Sequence, residues 1–113
     1  MHLPNAAHAI VDDAKVRDYL LSSEHPVGRF KARVFAAAGY ARESWQVLRD
    51  DLRSLTRSLE VSLSASDTHG HRYVGAGVLQ GMGGPPLPIV TVWLIPSEGE
   101  PPRLITAYPG KDV

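Results

Sequence analysis

The stretch RESWQVLRDDLRSLTRSLEVSLSAS, residues 42–66, changes its hydrophobic period in the middle. In its first part apolar residues recur every three or four positions, as on one face of a helix: Trp45, Leu48, Leu52, Leu55 and Leu59. From Glu60 onward apolar and polar residues alternate, which is typical of a half-buried strand. The sequence therefore predicts a helical half over about 12–59 and a sheet half over about 60–109, within a single domain of residues 1–113.

Two more helices are predicted upstream of this boundary. VDDAKVRDYLLSSEH indicates a short helix that begins at Asp12 or Asp13 and ends near Ser22. A second helix is expected from Pro26, whose missing N–H is tolerated in the first turn, to just before Gly39, a common helix terminator.

Downstream, four strand-like segments alternate with turn residues. The segments are EVSLSAS, HRYVGAGVLQ, PIVTVWLIP and PRLITAYP, and the separators are DTHG, GMGGPP and SEGEP. Connections this short favour an antiparallel meander, because a parallel crossover needs a dozen or more residues. We expect an α+β fold in which three N-terminal helices pack on one face of a four-stranded antiparallel meander.

Composition narrows the function classes. The chain has twelve acidic and twelve basic residues and no cysteine. The lack of cysteine excludes a disulfide framework and a cysteine-based zinc site, and it suits a reducing cytosol. No apolar run reaches the roughly 20 residues of a membrane helix, and the N-terminus lacks a secretory pattern. We therefore expect a cytoplasmic protein with no membrane partner.

Lys31 is the most unusual residue of the second helix. At about 100° per residue it falls inside the apolar stripe, whereas Arg29 and Arg33 lie outside it. The stripe consists of Val27, Phe30, Val34, Phe35 and Ala38. One interpretation is that the stripe ends at a cleft beside the sheet, where the ammonium faces Thr106 or Tyr108. The alternative is that Lys31 extends to solvent from the edge of the stripe.

Strict alternation assigns the faces of the last two strands. It places Leu104, Thr106 and Tyr108 together on one face of the last strand. On the strand before it, Thr91 and Trp93 share a face, opposite Val90, Val92 and Leu94. The pattern leaves open which of these faces meets the helices.

Several motifs occur in a specific order: LPNA, HPVGRFKARVF, TVWLI and PRLITAYP. Together they resemble a family of small bacterial domains catalogued without known function, over nearly the whole chain. That family usually has two aromatic residues after the lysine–alanine pair, where this chain has Val34 and Phe35. Its members resemble genes of toxin–antitoxin pairs or the toxin ends of larger bacterial proteins. Helices followed by a sheet that ends in Arg-x-x-Thr-x-Tyr are also similar to the barnase/EndoU/colicin/RelE-like ribonuclease superfamily.

RNA cleavage without a metal needs a proton acceptor, a proton donor and cations near the phosphorus. His25 precedes a helix N-terminus and suits the acid–base role. Lys31 and Arg103 provide cations, and arginine can hold a phosphate through two hydrogen bonds. Thr106 and Tyr108 can donate to phosphate oxygens. These five residues are the predicted catalytic set.

Each of these residues also has an ordinary structural interpretation. His25 can act as a substitute helix cap with a solvated ring, and Arg103 can pair with Glu98 or Glu100 across the last turn. Thr106 and Tyr108 are common strand residues.

Further RNA contacts are expected from Arg29, Thr91 and Trp93, although a tryptophan in a strand more often serves packing than base stacking. His69 and His71 flank a glycine, which predicts a turn rather than a metal site. No metal and no cofactor are expected.

The resulting prediction is a metal-independent endoribonuclease toxin of a toxin–antitoxin or polymorphic-toxin system. Its partners are RNA and a cognate antitoxin or immunity protein. The alternative is a non-catalytic protein-binding module, such as an antitoxin or an immunity-like regulator. The enzyme interpretation requires the five catalytic residues to line one cleft.

Overall fold

The computed structural model describes residues 1–26, 28–81, 83 and 85–110, and it confirms the predicted α+β architecture. Three helices precede the sheet: α1 (Asp13–Lys15, continued by a π-helical turn Val16–Leu20), α2 (Gly28–Ala37) and α3 (Trp45–Leu55). Short 3-10 turns lie at Ala6–His8 and Arg42–Ser44. The strands are β1 (Glu60–Asp67), β2 (Gly70–Leu79), β3 (Leu87–Ile95) and β4 (Arg103–Pro109). They form an antiparallel sheet in the order β1-β2-β3-β4.

The face of the sheet that carries Trp93 meets the helices. Trp93 is fully buried, and its indole Nε1 donates a 2.8 Å hydrogen bond to the Thr91 hydroxyl, which is also buried. The core combines this face, including Leu104 and Ala107 of β4, with apolar side chains from all three helices: Leu20, Phe35, Leu48 and Leu52. On the opposite face Val74, Val92 and Leu94 are only half-buried. The helices therefore cover the Trp93 face of the sheet, whereas the opposite face is partly exposed to solvent.

Close packing of α3 on the sheet depends on a glycine in β2. A Cβ at Gly77 would lie 2.9 Å from Leu55 Cδ1, inside van der Waals contact. The helix can approach the strand because this position has no side chain.

A β-bulge in β4 corrects the predicted strand faces. Val92 pairs with Thr106 and Trp93 pairs with Leu104, so Ile105 is an extra residue in β4. Leu104 therefore lies on the helix-covered face with Trp93, whereas Thr106 shares the opposite face with Val92. The prediction that Leu104 and Thr106 share a face is wrong, because alternation assumes an unbroken register.

The buried side of α2 also differs from the predicted stripe. Phe35 and Ala38 are buried and Lys31 is half-buried, but Phe30 is 58% exposed and Val34 is 36% exposed. Val27, the other predicted member, lies outside the described residues. The helix is thus rotated so that Lys31, rather than Phe30, faces the protein.

The N-terminal segment and α1 border the outer strands. His2 bridges Glu60 of β1, and Ile10 bridges Arg103 at the beginning of β4. The backbone N–H of Leu104 donates to the Ile10 carbonyl at 3.0 Å. This segment places α1 beside β4, where the Tyr19 hydroxyl contacts the Thr106 hydroxyl.

Candidate functional site

Three side chains from different elements meet at the ammonium group of Lys31. Lys31 Nζ donates to the Tyr19 hydroxyl at 2.6 Å and to Thr106 Oγ1 at 2.8 Å. The two hydroxyl oxygens lie 3.4 Å apart. We call Tyr19, Lys31 and Thr106 the lysine cluster. The predicted contact between Lys31 and Thr106 is confirmed.

Local structure places each member of this cluster. Tyr19 belongs to the π-helical turn of α1, a geometry that changes side-chain direction within a helix and is frequent at functional sites. Lys31 lies one helical turn before the buried Phe35. The bulge at Ile105 directs Thr106 away from the core. The cluster therefore depends on two departures from regular backbone.

Within the described part of the chain, the hydrogen bonds of the Lys31 ammonium go to hydroxyl groups. Among the described residues, no carboxylate lies within ion-pair distance of its ammonium group. The ammonium also lies 4.7 Å from the centre of the Tyr19 ring, and Lys15 Nζ lies 5.3 Å from the same centre. Two cations thus surround one phenol.

This arrangement lowers the pKa of Tyr19. Burial alone raises that pKa, but hydrogen bonds from Lys31 and Thr106 and the charges of Lys31 and Lys15 outweigh the effect of burial. The influences that lower the pKa come from Lys31, Thr106 and Lys15, so the lowered pKa of Tyr19 reflects the positive and hydrogen-bonding surroundings of its ring. The phenol consequently releases its proton more readily than an ordinary tyrosine.

His25 lies beside the lysine cluster. Its ring centre is 4.9 Å from that of Tyr19, in an edge-on arrangement at 81°. Its backbone N–H donates to Ser22 Oγ at 3.2 Å, and its carbonyl accepts from the N–H of Arg29 at 3.0 Å. These backbone contacts fix His25 at the entry to α2.

An open cleft of about 850 Å³ brings His25 and Tyr19 to a common surface. Residues 11–15 form its other wall, including Asp12, Asp13 and Lys15. The cleft therefore joins an imidazole, a phenol, an ammonium group and two carboxylates, which are groups suited to proton transfer and to anion binding.

Arg103 has a different partner from the one predicted. Its Nη1 donates to both carboxylate oxygens of Asp12 at 2.8 Å, so the alternative pairing with Glu98 or Glu100 is wrong. Asp12 occupies the N-cap position of α1, but its carboxylate makes no cap hydrogen bond. Because Asp12 borders the cleft, Arg103 is connected to the cleft through a carboxylate that offsets its charge.

A family model described as a domain of unknown function, DUF6883, matches residues 2–111. The chain belongs to the DUF6883 family. No curated protein sequence matches it significantly.

A solved structure shares the fold of this DUF6883 domain. It is a chain of a contact-dependent growth inhibition toxin–immunity protein complex from Klebsiella pneumoniae 342. The alignment has a TM-score of 0.64 and 15% sequence identity, and it covers 97% of this chain and 100% of the other. At this identity the similarity shows a common fold.

The predicted catalytic residues of the DUF6883 domain are brought together in part, and of the five only His25 lines the open cleft. Lys31 and Thr106 are in direct contact, and His25 adjoins them through Tyr19. Arg103 reaches the cleft through Asp12. Tyr108 pairs with Val90 in the register of the sheet, on the Thr106 face, and is 37% exposed.

The predicted RNA contacts of Thr91 and Trp93 do not fit the structure. Both side chains are fully buried, and the Thr91 hydroxyl is occupied by Gly75 O and Trp93 Nε1. A base cannot stack on a ring with no exposed surface. Arg29 is exposed, but it lies over Phe30 on the outward side of α2.

The turn predicted around His69 is present. The backbone N–H of His69 donates to Asp67 Oδ1 at 2.8 Å, and His71 Nδ1 lies 2.7 Å from Ser66 Oγ. Within the part of the chain that the structure describes, no group of three metal-ligating side chains occurs. No helix in that part is long and apolar enough to span a membrane.

Sequence reasoning missed Tyr19, Lys15 and Asp12. One signal was available: Lys15 and Tyr19 are four residues apart, so they are neighbours on a helix surface. The contacts of Tyr19 with Lys31 and of Asp12 with Arg103 carried no such local signal.

Proposed function

We propose that this DUF6883 domain is a metal-independent endoribonuclease toxin that cleaves RNA by attack of the ribose 2′-hydroxyl. The observation that carries the proposal is the half-buried Lys31 ammonium, which donates to the hydroxyls of Tyr19 and Thr106 and, among the described residues, has no carboxylate partner. Tyr19 connects it to an open cleft, which Tyr19 lines together with His25. A cation in this situation attracts an anion strongly, because no carboxylate of the described residues offsets its charge and water does not fully screen it.

The scissile phosphate would bind beside the lysine cluster. Lys31 would stabilise the extra negative charge of the pentacoordinate phosphorus, and Lys15 would add to the positive potential. The hydroxyl group of Thr106 would donate to a phosphate oxygen. Lys31 and Thr106 are already in contact, so little rearrangement would be needed when the charge develops.

Proton transfer would involve His25 and Tyr19. His25 would accept the proton of the 2′-hydroxyl as the 2′-oxygen forms its bond to phosphorus. The bond from phosphorus to the 5′-oxygen would break, and the Tyr19 hydroxyl would give its proton to that leaving oxygen. The products would be a 2′,3′-cyclic phosphate and a 5′-hydroxyl, and water would return both residues to their starting protonation states.

The shared fold supports the biological role. The Klebsiella chain comes from a toxin–immunity protein complex, which supports a toxin role. RNA in the cytoplasm is the target that we propose from the side chains of the site. We further propose that a cognate antitoxin or immunity protein neutralises the domain. Because the Klebsiella complex contains an immunity protein as well as a toxin, a non-catalytic immunity-like module is the second candidate function.

Purified protein incubated with total RNA and a chelator tests the proposal. We expect fragments that end in 2′,3′-cyclic phosphate, and a loss of about 10²–10⁴-fold in rate for His25→Ala, the usual effect of removing a general acid or base. His69→Ala is the matched control, because that residue lies in a turn and should leave the rate unchanged. Activity that disappears with the chelator, or that persists in His25→Ala, contradicts this mechanism. The complete absence of cleavage by the parent protein favours the immunity-like module.

A further inference from the structure

The outward side of α2 carries an exposed aromatic ring among cations. Phe30 is 58% exposed, whereas most apolar side chains of this size are buried in folded proteins. The Arg29 guanidinium lies 4.8 Å from the centre of the Phe30 ring and covers part of it. Arg33 is exposed on the same helix. An exposed aromatic ring that contacts one arginine, with a second arginine three residues after Phe30 along the helix, is a surface suited to a ligand.

The charge of this helix limits the chemistry of that ligand. The sequence of α2, GRFKARVFAA, contains three cations and no acidic residue. A polyanion with flat apolar groups satisfies both features, because its charges meet the arginines and its rings stack on Phe30. Single-stranded nucleic acid has this composition, and proteins bind it with a basic surface and aromatic platforms.

We infer that Phe30 is a stacking platform for a base of single-stranded RNA that leads to or from the lysine cluster. This inference rests on the proposed function, since it places the flanking nucleotide of the same substrate. Phe30 and Lys31 are consecutive residues, about 100° apart around the helix axis and about 1.5 Å apart along it. A strand whose phosphate contacts Lys31 can therefore cross α2 and lay its next base against Phe30, with Arg29 and Arg33 near its phosphates.

An RNA probe that cannot be cleaved allows binding to be measured independently of catalysis. We would measure the fluorescence anisotropy of a labelled 12-mer of 2′-O-methyl oligouridine, which lacks the attacking hydroxyl. Phe30→Ala should weaken binding about 5- to 150-fold, the range for loss of one stacked base. Phe30→Trp should bind as tightly as the parent protein or more tightly. Val78→Ala is the matched control, because Val78 is another exposed apolar residue, on β2.

The Phe30→Leu variant distinguishes a binding site for RNA from a docking surface for a protein. Leucine keeps the apolar surface but offers no flat ring, so a stacking site loses affinity for the oligonucleotide. An unchanged affinity in Phe30→Leu or in Phe30→Ala overturns the inference and favours an apolar docking surface for a protein. No binding by the parent protein also overturns it. Phe30-dependent binding without any RNA cleavage would support the platform and reject the proposed catalysis, so the two failures are distinguishable.

Discussion

Lys31 and Arg103 share a predicted role as phosphate-binding cations, but the structure gives them opposite kinds of partner. Lys31 is half-buried and donates to two neutral hydroxyls, whereas Arg103 is about half-exposed and donates to the Asp12 carboxylate. A hydroxyl holds a cation in position and leaves its charge in place. A carboxylate holds the cation in position and also neutralises its charge. The comparison teaches that the partner of a cation, rather than its residue type, decides whether it remains available to a phosphate.

We expect the largest effect on the rate of RNA cleavage from replacing Lys31, and the same replacement at Arg103 provides the direct comparison. Lys31→Met should reduce the rate of RNA cleavage about 10²–10⁴-fold, because it removes both the charge at the phosphate and the group that lowers the pKa of Tyr19. Arg103→Met should lose much less, since Asp12 already offsets that charge. Initial rates on one RNA substrate measure both variants. Equal losses would contradict the difference drawn between the two sites.

Tyr19→Phe should have the next largest effect on the rate. It deletes the proposed proton donor and one of the two anchors of Lys31, so we expect a loss of about 10²-fold, at the lower end for a general acid because water can replace the donor. The control is Tyr73→Phe, which changes a half-buried phenol on β2. A Tyr19→Phe variant with the parent rate would show that the phenol only positions Lys31.

Asp12→Asn should change binding in the opposite direction. Loss of the carboxylate frees Arg103, so the uncleavable oligonucleotide should bind several-fold more tightly and its salt dependence should steepen by about one unit. The Asp12–Arg103 pair is exposed, so its loss should cost only about 0–1 kcal/mol of folding free energy. Weaker oligonucleotide binding by Asp12→Asn would mean that Asp12 itself contacts the RNA.

The smallest effect is on the ionisation of Tyr19, which can be followed by nuclear magnetic resonance of its ring carbons. The parent protein should show a pKa below the ordinary value of about 10 for this residue. Because the folded-state pKa is lowered, ionisation of Tyr19 adds stability as the pH rises through that pKa, and the gain is complete above the unfolded value. In Lys31→Met the hydrogen bond and the charge of Lys31 are lost while the effect of burial remains, so the pKa of Tyr19 should rise. An unchanged pKa would remove Lys31 as its cause.

The sheet could be predicted closely from the sequence, since alternation and turn residues are local signals. The predicted strand limits differ from the observed ones by only a residue or so at each end, and the α3 face with Leu48 and Leu52 is as predicted. The bulge at Ile105 could not be predicted, because it is a property of the pairing between β3 and β4.

The candidate site could be predicted only in part. The position of Lys31 in the helix distinguishes it, but its partners lie 12 residues upstream and 75 residues downstream, at Tyr19 and Thr106. The predicted apolar stripe of α2 was wrong at Phe30 and Val34, because apolar character alone does not distinguish a side chain that faces the core from one that is exposed. Only the tertiary structure brings these distant groups together.

The thermal stability of Lys31→Met tests the central claim most directly, namely that Lys31 is placed for an anion and not for the fold. Methionine keeps most of the side-chain volume and removes a partly desolvated charge, and the Tyr19 and Thr106 hydroxyls remain close enough to bond to each other. We predict a Tm equal to or above that of the parent protein, measured on the same preparation that has lost RNA cleavage. A Tm lowered by several degrees would show that Lys31 is structural and would contradict the account.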